Sequence, residues 1–375
     1  YTLSLHDALP IWQFDVMTNL PESKGGSNLP STLVHELAHA FGLLSDMADP
    51  NSTGSDYAQL ESAGKFSNGL RDIYGNSLSV GQDIVDKAHH TEGDGNFVLD
   101  NTDGAYTGLY FTGKYTQEVL NGAYIDLPSD ANENLPAVQG IPINSYEGDE
   151  ADFSHLELQN ALMSHQNYRN WNILMEAELA VMQDCGLILD RKNLYGYSIY
   201  NSGTEDHRRV FVNNNPYYAR TEDGQWIENT YNKFSYGTGL HIYGKYNDVY
   251  QQSDLLSGGL YGLGIRVDGQ SNNLNILKDS KVSADGFGGI GILVAYGKDH
   301  NLTVNGSVTA TGAEGTALRF DFGDNNLGNN FEYRGSYIRT INGNNKDLLP
   351  ELEGSLVNDV SIAGTVIGRQ NAILI

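Results

Sequence analysis

Residues 31–44 read STLVHELAHAFGLL, and their apolar members, Leu33, Val34, Leu37, Ala38, Phe41 and Leu44, recur at helical spacing. Ser31 or Asn28 supplies an N-cap, so a helix is expected there. A second helical pattern, NWNILMEAELAVMQDCG, covers 170–186 with Met175 and Met182 at core positions and Gly186 as its C-cap. From about Tyr236 the period changes to short alternating strands divided by Asn, Asp and Gly. Gly239, Gly264, Gly291 and Ala317 open successive units 25, 27 and 26 residues apart. After an insertion at roughly 322–357, VSIAGTVIG (360–368) echoes LTVNGSVTATG (302–312). Strands repeating at this period are expected to form coils of a right-handed parallel β-helix, with Leu240, Ile265, Ile292 and Leu318 stacked inward as a ladder. An ordinary β-sandwich with accidental repetition is the alternative.

These patterns divide the chain into an α+β head over residues 12–190, a link rich in Asn and Tyr over 191–235, and an all-β stalk over 236–375. With 375 residues, 39% of them hydrophobic, the chain is long enough for two domains, each able to bury its own core. The formal net charge of −25 argues against nucleic acid, whose phosphates require a basic surface. No apolar run approaches the roughly 18 residues of a membrane span. The one cysteine, Cys185, excludes an internal disulfide and a thiolate zinc site, and it reads as a small apolar residue at a helix end. Residues 1–11, YTLSLHDALPI, resemble a translated sequencing adapter and are set aside. Both natural ends are then expected to lie beyond this chain.

The first helix contains the chemistry. In His35-Glu36-Leu37-Ala38-His39 the two histidines, four apart, share a helix face and can reach one ion at about 2.0–2.1 Å. Glu36 lies beside that ion, placed to take a proton from water acidified there to a pKa near ~7 and to deliver it to a leaving amine. Gly42 lets the chain leave the helix by a turn that a Cβ would obstruct. A catalytic zinc needs a third protein ligand and an open fourth position. The position three beyond Gly42 is Ser45, and Asp46 is one step out of register. Glu61 is the candidate for a carboxylate ligand, and His155 in DFSHLELQNALMSHQNYR (152–169) is the candidate for a distant histidine. The acidic run from Asp94 to Gly104 departs from EF-hand spacing, and His89 and His90 read as a solvated pair.

HELAHAFG, a long insertion including YFTGKYTQEVLNGAY (110–124), the distant His155, the turn at Ala161–Met163 and the closing helix together resemble leishmanolysin-type metzincins and their bacterial relatives, over roughly residues 30–190. The resemblance implies His35, His39 and His155 as zinc ligands, Glu36 as base, Gly42 as turn residue and Met163 as the Met-turn methionine. It places His165 where some metzincins have a tyrosine that assists the transition state, a departure from their pattern. Metzincins also set a substrate-binding sheet ahead of this helix. Little of it precedes residue 35, chiefly FDVMTNL, so the parent protein rather than this fragment is the expected enzyme.

The stretches GIGILVAYGKDHNLTVNG, ALRFDFG and EYRGSYIR are similar to the passenger of a Gram-negative autotransporter. That likeness implies a monomeric protein at the cell surface, anchored in its full-length parent by an outer-membrane barrel. Two functions are then expected to compete: a zinc endopeptidase of protein or peptide substrates, and an adhesin whose head keeps the metal site as scaffold. The base Glu36 favours the first, because a scaffold has no use for it.

Overall fold

The computed structural model describes residues 27–48, 58–72, 75–86, 109–120, 140–143, 153–156, 162–163, 174–200, 202–295, 297–320 and 354–375, with the short stretches 12–13, 97–99, 125–126, 146–147, 150–151, 326–327, 330–331 and 337–338. Its C-terminal half is a stack of parallel strands in three sheets. The first sheet orders Tyr195–Ile199, Thr238–Ile242, Leu263–Val267, Ile290–Val294, Thr316–Phe320 and Asn371–Leu374. The second orders Arg209–Asn213, Asn247–Gln251, Asn273–Ile276, His300–Val304 and Val357–Ile362, and the third Leu255–Ser257, Lys281–Ala284, Ser307–Ala310 and Thr365–Gly368. The chain visits the three in turn, so each circuit is one coil of a β-helix-like solenoid.

Register explains the core. Leu240 pairs with Ile265, Ile265 with Ile292 and Ile292 with Leu318, all parallel and all buried. Leu274, Leu302 and Val360 align in the second sheet, and Val282, Val308 and Val366 in the third. One coil therefore covers the apolar face of the next, which none could bury alone. The excursion after Phe320 ends in register, because Leu302 meets Val360 and Val308 meets Val366. Parallel pairing throughout these three sheets excludes the sandwich alternative.

The corners expose backbone groups that polar side chains satisfy. Asn272 donates through Nδ2 to the Gly244 carbonyl at 2.6 Å, while its Oδ1 accepts the Asn247 N–H at 3.0 Å. Corner residues in successive coils take left-handed backbone: Tyr246, Ser271 and Asp299 at one corner, Tyr236, Tyr261, Gly288 and Glu314 at another.

Residues 191–235 are not a link. Tyr195–Ile199 and Arg209–Asn213 are the first strands of their sheets, and a hairpin of Tyr218–Arg220 with Trp226–Tyr231 leaves the third face of that coil. The stack thus begins near Tyr195 rather than Tyr236. The sequence signal is weak because Tyr197 and Phe211 occupy inward positions filled elsewhere by Leu, Ile and Val, and because the hairpin interrupts the period.

The head is assembled from short pieces. Helix Leu29–Ala40 carries the histidine motif, helices Lys65–Gly69 and Lys114–Val119 flank an antiparallel sheet of Leu70–Asp72, Leu109–Phe111 and Ile141–Pro142, and helix Glu176–Asp184 closes it. Gly186, with φ +98°, ends the closing helix as expected: its N–H donates to Gln183 and that of Leu187 to Met182. Ala38, Phe111, Leu156, Met163, Met175 and Met182 share one buried cluster with Tyr195, Tyr200 and Tyr243, so head and first coils have a common core. No helix among the described residues is long and apolar enough to cross a membrane.

The histidine helix reverses the expected amphipathic orientation. Leu33, Leu37, Phe41 and Leu44 line one stripe and are 43–57% exposed, whereas His35, on the opposite side, is 2% exposed beside buried Ala38. This helix turns its histidine face to the head, so the Leu/Phe stripe faces outward.

Candidate metal centre

The histidine helix ends at Gly42, whose φ of +113° is open to glycine and strained for other residues. Gly42 N–H donates to the His39 carbonyl at 3.0 Å and Leu43 N–H to the Ala38 carbonyl at 3.1 Å, a Schellman closure. The turn does more than stop the helix. It brings the Leu43 carbonyl back to accept His39 Nδ1–H at 2.6 Å. His35 is fixed in the same manner from across the chain, donating from Nδ1 to the Leu162 carbonyl at 2.7 Å. A carbonyl can only accept, so both Nδ1 atoms carry protons, and in the neutral ring it is then Nε2 that offers the lone pair.

Those lone pairs converge. Nε2 of His35 lies 3.1 Å from Nε2 of His39 and 3.3 Å from Nε2 of His155. The ligand atoms of the three residues all lie within 4.8 Å of one another, making them a group able to hold a metal ion. Four donors about an ion at ~2.0–2.1 Å stand ~3.3–3.4 Å apart in a tetrahedron, close to the separations found. Three imidazole nitrogens turned to one point, with His35 buried and the other two half-buried, are a donor set that fits a divalent cation. His155 lies at a bend beside Ser154, whose Oγ accepts the Ser45 N–H at 3.1 Å and ties this segment to the one after the helix.

The other candidates fall into place around this group. Glu36 is exposed on the helix beside His35 and is not a member of the ligand group. Asp46 is committed elsewhere, its Oδ2 accepting Gly64 N–H at 3.0 Å and Ser67 O–H at 2.8 Å, and Glu61 is exposed outside the group. Met163 is fully buried in the head core, one residue past the carbonyl that orients His35. His165, His89, His90 and the side chains of the Asp94–Gly104 run lie outside the described residues. Burial pushes the Cys185 thiol up to about 12, with Asp184 adding to the effect, so it is no thiolate at neutral pH.

One participant escaped sequence reasoning. Glu178 is fully buried in the closing helix, and its carboxylate takes the N–H groups of Met163 and Met175 at 2.5 and 2.6 Å. A Glu in EAELAVMQD reads as a solvated helix face. The available signal was its place among Ala177, Leu179, Ala180 and Val181, all buried. Comparison of the chain with protein-family models, with curated proteins and with solved structures finds no match.

Proposed function

We propose that this chain belongs to a surface-attached zinc endopeptidase whose metzincin-like head, of leishmanolysin type, stands on a right-handed parallel β-helix of the autotransporter-passenger kind. The observation that carries this reading is the convergence of three imidazole nitrogens, two of them held by carbonyls through Nδ1, with the exposed Glu36 next to His35 on the same helix. His35, His39 and His155 would hold the ion, and their nitrogen-only donor set suits zinc. Zinc bound there supplies Lewis acidity, polarising a carbonyl oxygen and lowering the pKa of water to about 7.

Glu36 then has one task. Its carboxylate takes a proton from the attacking water and returns it to the amide nitrogen as the C–N bond breaks, leaving a carboxylate and an amine. The carbonyls of Leu162 and Leu43 keep His35 and His39 from rotating away while this happens. The expected substrates are proteins or peptides, the working form a monomer, and the location the exterior of a Gram-negative cell with an outer-membrane barrel in the parent protein.

The decisive measurement is Glu36→Gln, which keeps size and reach and removes basicity. Bound zinc is expected to stay stoichiometric while cleavage of an unstructured protein falls about 10²–10⁴-fold. Zinc-loaded parent protein that cleaves nothing across a broad substrate panel would favour the adhesin instead.

A further inference from the structure

The two oxygens of Glu178 have different explanations. Oε2 accepts the Met175 N–H at 2.6 Å, three residues back, and so satisfies a free donor at the start of the closing helix. Oε1 has no such local reason. It reaches fifteen residues back to the Met163 N–H at 2.5 Å. A buried carboxylate is costly unless hydrogen-bonded, and capping alone is within reach of a neutral glutamine.

The N–H that Oε1 holds belongs to the same peptide unit as the Leu162 carbonyl, the acceptor of His35 Nδ1–H at 2.7 Å. A peptide unit is planar, so anchoring its N–H fixes the direction of its C=O. Charge drawn onto the N–H also polarises the bond and makes the oxygen a stronger acceptor. We propose that Glu178 is a positioning residue of the metal centre, orienting His35 and raising its basicity through the single peptide Leu162–Met163. The stack joins the same chain of contacts, because Tyr195 O–H donates to the Leu174 carbonyl at 2.7 Å, immediately before Met175.

This inference rests on the reading that the three histidines hold a metal, so the unmutated full chain is measured first. Zinc affinity is obtained by competition with a chelator, and geometry from the visible absorption of the cobalt(II) form. Failure of the parent to take up either ion overturns the metal reading and the positioning role with it. Given uptake, Glu178→Gln is expected to weaken zinc about 10–100-fold and to shift the cobalt bands. Glu178→Asp, which keeps the charge, is expected to recover part of both. Glu176→Gln, also buried on the same helix but facing Arg191, removes a buried carboxylate without touching the Leu162–Met163 peptide and should leave affinity and spectrum unchanged. Unaltered zinc affinity in a folded Glu178→Gln, or equal weakening by Glu176→Gln, overturns the proposal. If both Glu178 variants fail to fold while Glu176→Gln folds, Glu178 is assigned to the fold alone.

Discussion

Gly42 shows how a backbone angle can set the orientation of a histidine ring. A Cβ there would meet Cys185 Cβ at 3.8 Å, ordinary contact, so any penalty for substitution comes from φ rather than from crowding. Left-handed backbone costs a non-glycine residue roughly 1–2 kcal/mol. Relaxing that angle would swing the Leu43 carbonyl away from His39 Nδ1, now 2.6 Å distant. Gly42→Ala is therefore expected to lower stability by about 1 kcal/mol and to weaken zinc binding as well. Gly42→Asn, which tolerates left-handed backbone better, should lose less of both. Parallel thermal melts and chelator titrations test this, and zinc affinity that ignores the alanine would detach the turn from the site. At this scale the sequence was informative wherever the geometry is local: HELAHAFG holds two of the three converging histidines, the exposed Glu36 and the left-handed turn within eight residues. Glu178 and the Leu162 carbonyl were hidden, because their roles depend on segments that meet only after folding.

Among elements, the closing helix carries a buried charge whose protonation should be visible in stability. Glu176 Oε1 meets Arg191 Nε at 3.1 Å, and Ser198 is the carboxylate's other polar neighbour. Burial raises its pKa to about 7 despite the opposing pull of Arg191, which also bonds Glu118 at 2.9 Å. A carboxyl with a raised folded pKa contributes stability that is complete below its unfolded value of about 4.3 and is lost as pH climbs through 7. Glu176→Gln should hence match the parent near pH 5 and exceed it by about 1–3 kcal/mol at pH 8. Urea unfolding at the two pH values decides, and a variant weaker at pH 8 would mean that Arg191 needs the carboxylate. Elements with a strict period were legible: Leu240, Ile265, Ile292 and Leu318 stack as their spacing implied. The histidine helix was legible in position but not in orientation, since an apolar stripe does not reveal which side faces the neighbouring elements.

For the molecule as a whole, the boundary between head and stack is a shared core rather than a hinge. Tyr195, Tyr200 and Tyr243 pack with Met175, Ala177 and Met163, and Tyr200 lies parallel to Tyr243 at 4.8 Å between ring centroids. Arg220 of the hairpin bonds Asp190 at 2.6 Å on the outside of the same junction. A head ending at residue 190 would lose these tyrosines and the bond from Tyr195 to Leu174. Such a fragment is expected to melt over a broader range than the full chain and to hold zinc more weakly. Calorimetry with a chelator titration checks this, and a fragment indistinguishable from the full chain would show that the head is autonomous. The division of the chain at residue 236 misplaced this junction because composition marks where the repeat becomes regular, not where its first strand pairs.

The parallel stack also has a mechanical consequence. A pull along the stack that detaches Asn371–Leu374 from Thr316–Phe320 opens backbone pairs one after another. Each regular coil between Leu240 and Leu318, 25–27 residues long, would release about 90 Å of chain before the next is strained. The first coil, backed by the tyrosines of the common core, yields last. The regular coils therefore act as a row of fuses, spending such a pull before it reaches the histidines.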